Sequence, residues 1–423
     1  MAVETAGGTL VIEGGHSLRG PVVISGSKNA TMGAMAAALL VPDECILENV
    51  PRIGDVEQMA RVLRSLGAAV EWTGEHTLRL SCAELHGSSP PTELVGNLRG
   101  SFLVMGALLG RLGAASCAPP GGDVIGQRPI DVHLKGFEAL GATVGREGDR
   151  YVAEGKALRG ATVFADYPSV LGTQNLMLVA VTTLGETTII NAAAEPEVQS
   201  LAAMLNAMGA KIAGAGSHTI RIEGVEGLRG TRYRIIPDRL EAGTYAIAAA
   251  ITRGEVEVRH VNLEHLQSLI AKLREAGVEV EAEGDTLRAR GVAELKPLTI
   301  QALPYPGLAT DLQAPMAVLL TQADGVSYVH ERVFDNRLLY VSELRQMGAE
   351  VVTTGTTTAI ISGPTPLVGG RVRALDVRAG AALILAGLAA RGRTEITDIY
   401  HVDRGYERID EKLRSLGAVI ERV

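Results

Sequence analysis

The sequence predicts an α/β protein of six βα-rich repeats, each of about seventy residues, grouped as two similar lobes of three. Three observations predict it. A helix that ends in glycine recurs six times, a small-residue helix leading into a strand recurs between those helices, and 423 residues exceed what one hydrophobic core usually organises.

The glycine-ended helices read Leu63-Arg-Ser-Leu-Gly67, Phe137-Glu-Ala-Leu-Gly141, Leu205-Asn-Ala-Met-Gly209, Leu273-Arg-Glu-Ala-Gly277, Leu344-Arg-Gln-Met-Gly348 and Leu413-Arg-Ser-Leu-Gly417, at spacings of 68 to 74 residues. Glycine suits each place because the residue just past a helix often takes the left-handed conformation that side chains resist. The second element spans 36–50, 179–192, 248–261, 317–331 and 385–399, with 101–119 a looser match. Each begins in small residues that let helices approach closely and ends in a β-rich run such as Glu255-Val-Glu-Val-Arg. One such unit cannot bury its apolar face alone, so three per lobe is the expected grouping. On the period alone a solenoid is the alternative, although solenoid repeats are usually shorter.

Composition narrows the function. A net charge of −8, a pI near 5.7 and only 3% aromatic residues exclude a general nucleic-acid or membrane-surface binder. The longest apolar runs, such as 381–390, are too short to span a bilayer. Residues 1–15 carry no cationic start followed by an apolar core, so a secretory signal is not expected and the cytoplasm is the expected setting. Cys45, Cys82 and Cys117 lie in no metal-ligand spacing, so buried thiols are expected, with no metal site.

Three constellations could carry chemistry. Ser25-Gly-Ser-Lys-Asn29 presents Lys28 just before a helical stretch, where backbone N–H groups and the helix dipole favour an anion. The run from Pro119 to His133 holds Gly121, Gly122 and Gly126 with Asp123 and Arg128, the composition of a mobile lid over a substrate. Arg99, Arg337, Arg378 and Arg404 each follow a short polar motif, and planar guanidinium groups suit carboxylates and phosphates. Structural salt bridges to the neighbouring aspartates are the alternative reading of each arginine.

Taken together, Ser25-Gly-Ser-Lys-Asn29, the loop 121–133, Pro237-Asp-Arg-Leu-Glu-Ala-Gly-Thr244, Ala309-Thr-Asp-Leu-Gln313 and Ile399-Tyr-His-Val-Asp-Arg-Gly-Tyr-Glu-Arg-Ile409 resemble the UDP-N-acetylglucosamine 1-carboxyvinyltransferase family. The resemblance runs over essentially the whole chain. It implies two inside-out α/β barrels of the enolpyruvyl transferase fold, with 1–27 and 237–423 in the first lobe, 28–236 in the second, and the active site between them. It also implies transfer of the enolpyruvyl group of phosphoenolpyruvate to the 3′-hydroxyl of UDP-N-acetylglucosamine by addition and elimination, with phosphate released. This is the first committed step of peptidoglycan synthesis. No cofactor is implied, and the partners implied are the two small-molecule substrates.

Carried over by residue, Lys28, Arg128 and Arg404 would hold the phosphate and Arg337 with Arg378 the carboxylate of phosphoenolpyruvate. Asn29 would lie at both substrates, and Asp311 would accept the proton of the attacking hydroxyl. Arg99, Arg128, Pro129, Ile130, Asp131, Val132, Ser169, Val170 and Val333 would contact the nucleotide. Catalysis would fall to Asp123, Asp311 and Lys28.

Two positions depart from the family pattern. Asp123 stands where most relatives have cysteine, which implies resistance to the epoxide fosfomycin, since a carboxylate is a far weaker nucleophile than a thiolate. Tyr167-Pro168 replaces a customary lysine near the diphosphate, so a paralogue acting on another uridine nucleotide or on shikimate 3-phosphate, or a non-catalytic nucleotide-binding protein, stays an alternative.

Overall fold

The computed structural model describes residues 8–123 and 125–423. Part of the segment read for a secretory signal, residues 1–7, lies outside the described residues. The chain forms two compact units. The first comprises the chain up to Ser25, Asp123–Arg128 and Pro237–Val423, and the second comprises Gly26–Gly122 and Pro129–Ile236.

This division differs from the expected 27/28 boundary by two residues and, more importantly, in the glycine loop. The reading from sequence kept the whole loop in the second lobe, whereas Asp123–Arg128 belongs with the first unit. The cause is a set of contacts between residues remote in sequence. Arg404 Nη1 lies 2.6 Å from Asp123 Oδ1, and the Gln127 N–H donates to Asp335 Oδ1 at 3.0 Å.

Among the described residues the first unit has three four-stranded sheets, and the second has two of four strands and one of three. The five four-stranded sheets follow one scheme, visible in Glu255–Arg259, which pairs antiparallel with Thr286–Arg290 and parallel with Arg19–Val23. Strands Glu44–Glu48, Glu186–Ile190, Gly325–Glu331 and Arg393–Thr397 repeat that mixed pairing. The three-stranded sheet belongs to the segment that matched the repeat least well. There Ala114–Cys117 has one strand partner, and the Ser116 N–H donates instead to the Ser88 carbonyl at 2.8 Å.

The small-residue helices lie inside. Arg239–Ile251, Gln313–Leu320 and Val377–Ala389 bury nearly every residue and pack on one another in the first unit. The sheets alternate buried and exposed positions, as sheets covered on one face must. Helices within and sheets without is the inside-out arrangement expected.

All six repeat glycines have φ between +91° and +107°. In each case the next residue's N–H returns to the carbonyl five residues back, as Ala68 does to Leu63 at 3.1 Å and Ala418 to Leu413 at 3.1 Å. This is the Schellman stop, and it satisfies carbonyls the helix end would otherwise leave open.

Close helix approach gives a stability prediction. In Val104–Leu112 a Cβ on Gly106 would meet the Asn175 carbonyl oxygen at 2.4 Å and its Oδ1 at 2.5 Å. Gly106→Ala is therefore expected to destabilise the second unit by about 1–3 kcal/mol, since well-packed interiors resist added volume. A lowered urea midpoint checks it.

Candidate functional site

The first unit gathers cations around two carboxylates. Arg378 enters through the start of Val377–Ala389, where Asp376 caps the helix by accepting from the N–H groups of Arg378 (2.7 Å) and Ala379 (2.9 Å). Its Nε lies 2.9 Å from Asp311 Oδ2, while Arg337 Nη2 lies 2.8 Å from Asp311 Oδ1. Arg337 Nη1 also donates to Thr310 Oγ1 at 2.8 Å, and Thr310 in turn donates to Glu331 at 2.7 Å. Glu331 accepts from the Val333 and Phe334 N–H groups as well, which seats the exposed Val333. One carboxylate thus orients two guanidinium groups.

Both terminal nitrogens of Arg378 are buried without a hydrogen-bond partner. Burial works against the Arg378 charge, yet nearby Tyr406, Asp311 and Asp238 raise its pKa overall. Tyr406 supports the cation without meeting hydrogen-bond geometry to those nitrogens, and its hydroxyl lies 2.9 Å from Thr244 Oγ1. A fork of buried, unsatisfied N–H donors is an energetic cost unless an anion completes it.

The second carboxylate is Asp123. Its Oδ1 meets Arg404, and its backbone carbonyl accepts from Arg128 Nη2 at 2.6 Å. Burial pushes the Arg128 pKa down, with Arg337 and Arg404 adding to this and Asp123 and Asp311 opposing it. Those four groups and Arg128 therefore share one electrostatic neighbourhood. His401 is near too: burial lowers its pKa, and Asp123 pulls against that.

The loop glycines have packing duties beyond the mobility expected of them. A Cβ on Gly121 would stand 1.5 Å from the Gly96 carbonyl oxygen, and one on Gly126, at φ +113°, 1.8 Å from Asp335 Oδ1.

The second unit holds the remaining candidates. Lys28 opens the helix Lys28–Ala37, capped by Ser27, and its Nζ lies 3.0 Å from Asp55 Oδ2. Asn29 follows on the same turn, half-buried. Arg99 Nη2 reaches the Pro129 carbonyl at 3.5 Å, and the Tyr167 hydroxyl donates to that carbonyl at 3.0 Å and to Asp131 Oδ1 at 3.4 Å. Ser169 caps the helix that Val170 begins, and Val132 packs so close to Gly172 that a Cβ there would stand 2.8 Å from it. Ile130 precedes the helix Asp131–Ala139. The nucleotide candidates of this unit, Arg99, 129–132, Ser169 and Val170, thus form one group, with Tyr167 in its middle. Arg128 and Val333 lie in the first unit.

His133 is held neutral. The Asn175 amide takes the Gly106 N–H on its oxygen (2.8 Å) and gives its nitrogen to the Phe102 carbonyl (3.0 Å), so that nitrogen must also be the donor facing His133 Nδ1 at 2.7 Å. Burial drives the His133 pKa from 6.5 down to about 3. The unfolded chain then binds the extra proton, so stability falls as pH drops through 6.5 toward 3, by up to about 1.4 kcal/mol per pH unit. His133→Gln, which keeps an acceptor for Asn175, is expected to flatten that acid limb. Urea midpoints at about pH 7.5 and about pH 5 measure it.

The family model described as EPSP synthase (3-phosphoshikimate 1-carboxyvinyltransferase) matches residues 12–413. UDP-N-acetylglucosamine 1-carboxyvinyltransferase 1 of Caldanaerobacter subterraneus subsp. tengcongensis is 49% identical over 97% of this chain and 99% of its own. UDP-N-acetylglucosamine 1-carboxyvinyltransferase 2 of Carboxydothermus hydrogenoformans is 51% identical over 98% and 99%. The chain belongs to the UDP-N-acetylglucosamine 1-carboxyvinyltransferase family.

Among solved structures, the enolpyruvyl transferase NikO from Streptomyces tendae superposes on this UDP-N-acetylglucosamine 1-carboxyvinyltransferase family member with a TM-score of 0.89, at 27% identity over 99% of both chains. EPSP synthase from Acinetobacter baumannii, at TM-score 0.74 and 19% identity over 99% and 100%, shares the fold. The family's two-lobed α/β fold is thus the fold of this chain.

Reasoning from sequence did not single out Asp55, Thr310, Glu331 or Tyr406, which brace this family member's cationic side chains. Thr310 and Tyr406 lay inside quoted motifs, but nothing in their spacing distinguished them. Asp55 had no local signal because Lys28 stands 27 residues away, and the link of Glu331 to Arg337 through Thr310 spans 21 residues. No helix among the described residues is long and apolar enough to cross a membrane.

Proposed function

We propose that this chain transfers the enolpyruvyl group of phosphoenolpyruvate to the 3′-hydroxyl of UDP-N-acetylglucosamine, releasing phosphate. The observation that carries the reading is the paired fork of Arg337 and Arg378 on Asp311, with two buried Arg378 nitrogens lacking a partner, in the same neighbourhood as Arg128, Arg404 and Asp123. A three-carbon phosphoester with a carboxylate has the charges that such a set would complete. Curated relatives of nearly equal length carry the corresponding name.

In this reading Arg337 and Arg378 bind the carboxylate, and Lys28, Arg128 and Arg404 the phosphate. Asp311 takes the proton from the sugar hydroxyl as its oxygen bonds to C2, and Asp123, entering the step as the carboxylic acid, delivers its proton to C3. The tetrahedral adduct then returns a C3 proton to the Asp123 carboxylate as the C2–O bond to phosphate breaks, which restores the double bond, and the proton on Asp311 passes to the released phosphate. Positioned acid and base groups of this kind typically contribute about 10²–10⁴-fold each. Asn29 meets the sugar, and Arg99, 129–132, Ser169, Val170 and Val333 receive the nucleotide.

Cytoplasmic work is part of the same reading, supported by three buried thiols, Cys45, Cys82 and Cys117, none of them bridged. Phosphate release measured with phosphoenolpyruvate and UDP-N-acetylglucosamine, another uridine nucleotide sugar or shikimate 3-phosphate tests the reading. Turnover with the first acceptor alone supports it, and turnover confined to either of the others overturns it.

A further inference from the structure

Arg404 sits in a stretch with little secondary structure to hold it. It follows the single-turn helix Tyr400–Asp403 and precedes the helix Ile409–Ser415, with Arg408 in the left-handed region at φ +48°. A helix of one turn has no stability of its own, so its orientation must come from tertiary bonds.

Arg422, the penultimate residue, supplies them on both sides. Its Nη1 and Nη2 engage both carboxylate oxygens of Asp403 at 2.8 and 2.9 Å, and Nη2 also reaches Asp410 Oδ1 at 3.0 Å. Asp403 immediately precedes Arg404, and Asp410 lies in the first turn of the following helix. One guanidinium therefore clamps both ends of the segment that carries Arg404.

Arg422 is itself anchored. It stands in the strand Val419–Arg422, paired with Leu10, and the next residue exchanges two backbone hydrogen bonds with Thr9 at 2.8 and 2.9 Å. Between the two clamped points, Tyr406 meets Thr244, and Glu407 accepts from Ser25 Oγ at 2.6 Å. Those anchors lie after Arg404; on its other side Asp403 adjoins it directly, next to the buried Val402 that packs close to Gly380. A forked guanidinium fixes direction as well as distance, which a single ammonium does not.

We propose that Arg422 is a positioning residue for the reaction, holding Arg404 in the orientation that receives phosphate by clamping Asp403 and Asp410. The inference rests on the reading of Arg404 as a phosphate ligand. The test compares Arg422→Gln, Arg404→Gln and the double variant for KM of phosphoenolpyruvate, KM of UDP-N-acetylglucosamine and inhibition by inorganic phosphate.

Arg422→Gln is expected to raise the phosphoenolpyruvate KM and the phosphate inhibition constant together, by about tenfold, with the nucleotide KM unchanged. In the Arg404→Gln background the same change should add less than about twofold, because residues acting through one another are not additive. Arg422→Lys should recover little, since a point charge cannot engage both oxygens. An equal rise in the nucleotide KM, additive penalties, or an Arg422→Gln enzyme unchanged while Arg404→Gln is impaired would each overturn the inference. If Arg404→Gln itself alters neither phosphate constant, the reading of Arg404 fails instead. Asp403→Asn, which spares the Arg422–Asp410 bond, gives the same discrimination should Arg422→Gln not accumulate as folded protein.

Discussion

Asp311→Asn is expected to lower kcat/KM by at least about 10³-fold. The change removes the proposed base for the sugar hydroxyl. It also turns one oxygen into an NH₂ group facing either Arg337 Nη2 or Arg378 Nε, both of which are donors within 2.9 Å. Two buried guanidinium groups then lose the carboxylate that orients them, which is costly because an uncompensated charge stays behind. The KM for phosphoenolpyruvate should therefore rise along with the fall in kcat. Steady-state kinetics with both substrates varied would settle it, and a loss under tenfold would remove Asp311 from the chemistry.

The native chain is expected to be indifferent to fosfomycin, and the Asp123→Cys variant to be inactivated by it in a time-dependent way. In the native chain the Asp123 carboxylate is engaged by Arg404 at 2.6 Å, and a carboxylate is a poor nucleophile toward an epoxide. A thiol at the same position would stand beside Arg404 and Arg128. Neighbouring cations favour the thiolate, the form that attacks. Progress curves with the drug, together with intact-protein mass spectra for a covalent adduct, read both halves of the prediction. Wild-type enzyme that loses activity progressively and carries an adduct would refute it. The companion change Asp123→Asn should cost about 10²–10⁴-fold in kcat if the carboxyl is the proton donor.

The two predictions differ in how visible their basis was from the chain alone. Asp123 announced itself within a glycine-rich loop, and the resemblance supplied its role. The bracing of Arg337 and Arg378 by a shared Asp311 could not be read the same way, because Arg378 and Asp311 are 67 residues apart. Local patterns do report helix ends, and all six repeat glycines took the left-handed conformation expected of them. They also reported the weak repeat, since 101–119 matched least well and leads into the sheet with one strand fewer. The loop's allegiance was invisible, because Asp123–Arg128 follows its partners Arg404 and Asp335, both more than 200 residues downstream.

What the sequence determined by itself was periodic and local: the α/β class, the six repeats, the helix stops, the buried small-residue helices and the motifs that mark the family. Each depends on the conformational preferences of neighbouring residues, which the order of the chain states directly. Tertiary structure alone decided which side chains meet. It placed Asp311 between two arginines, left two Arg378 nitrogens open, made His133 neutral by burying it beside Asn175 and set Arg422 against Asp403. Such pairings depend on distances in space, and the physical strength of an ion pair or hydrogen bond carries no mark in the linear spacing of its partners.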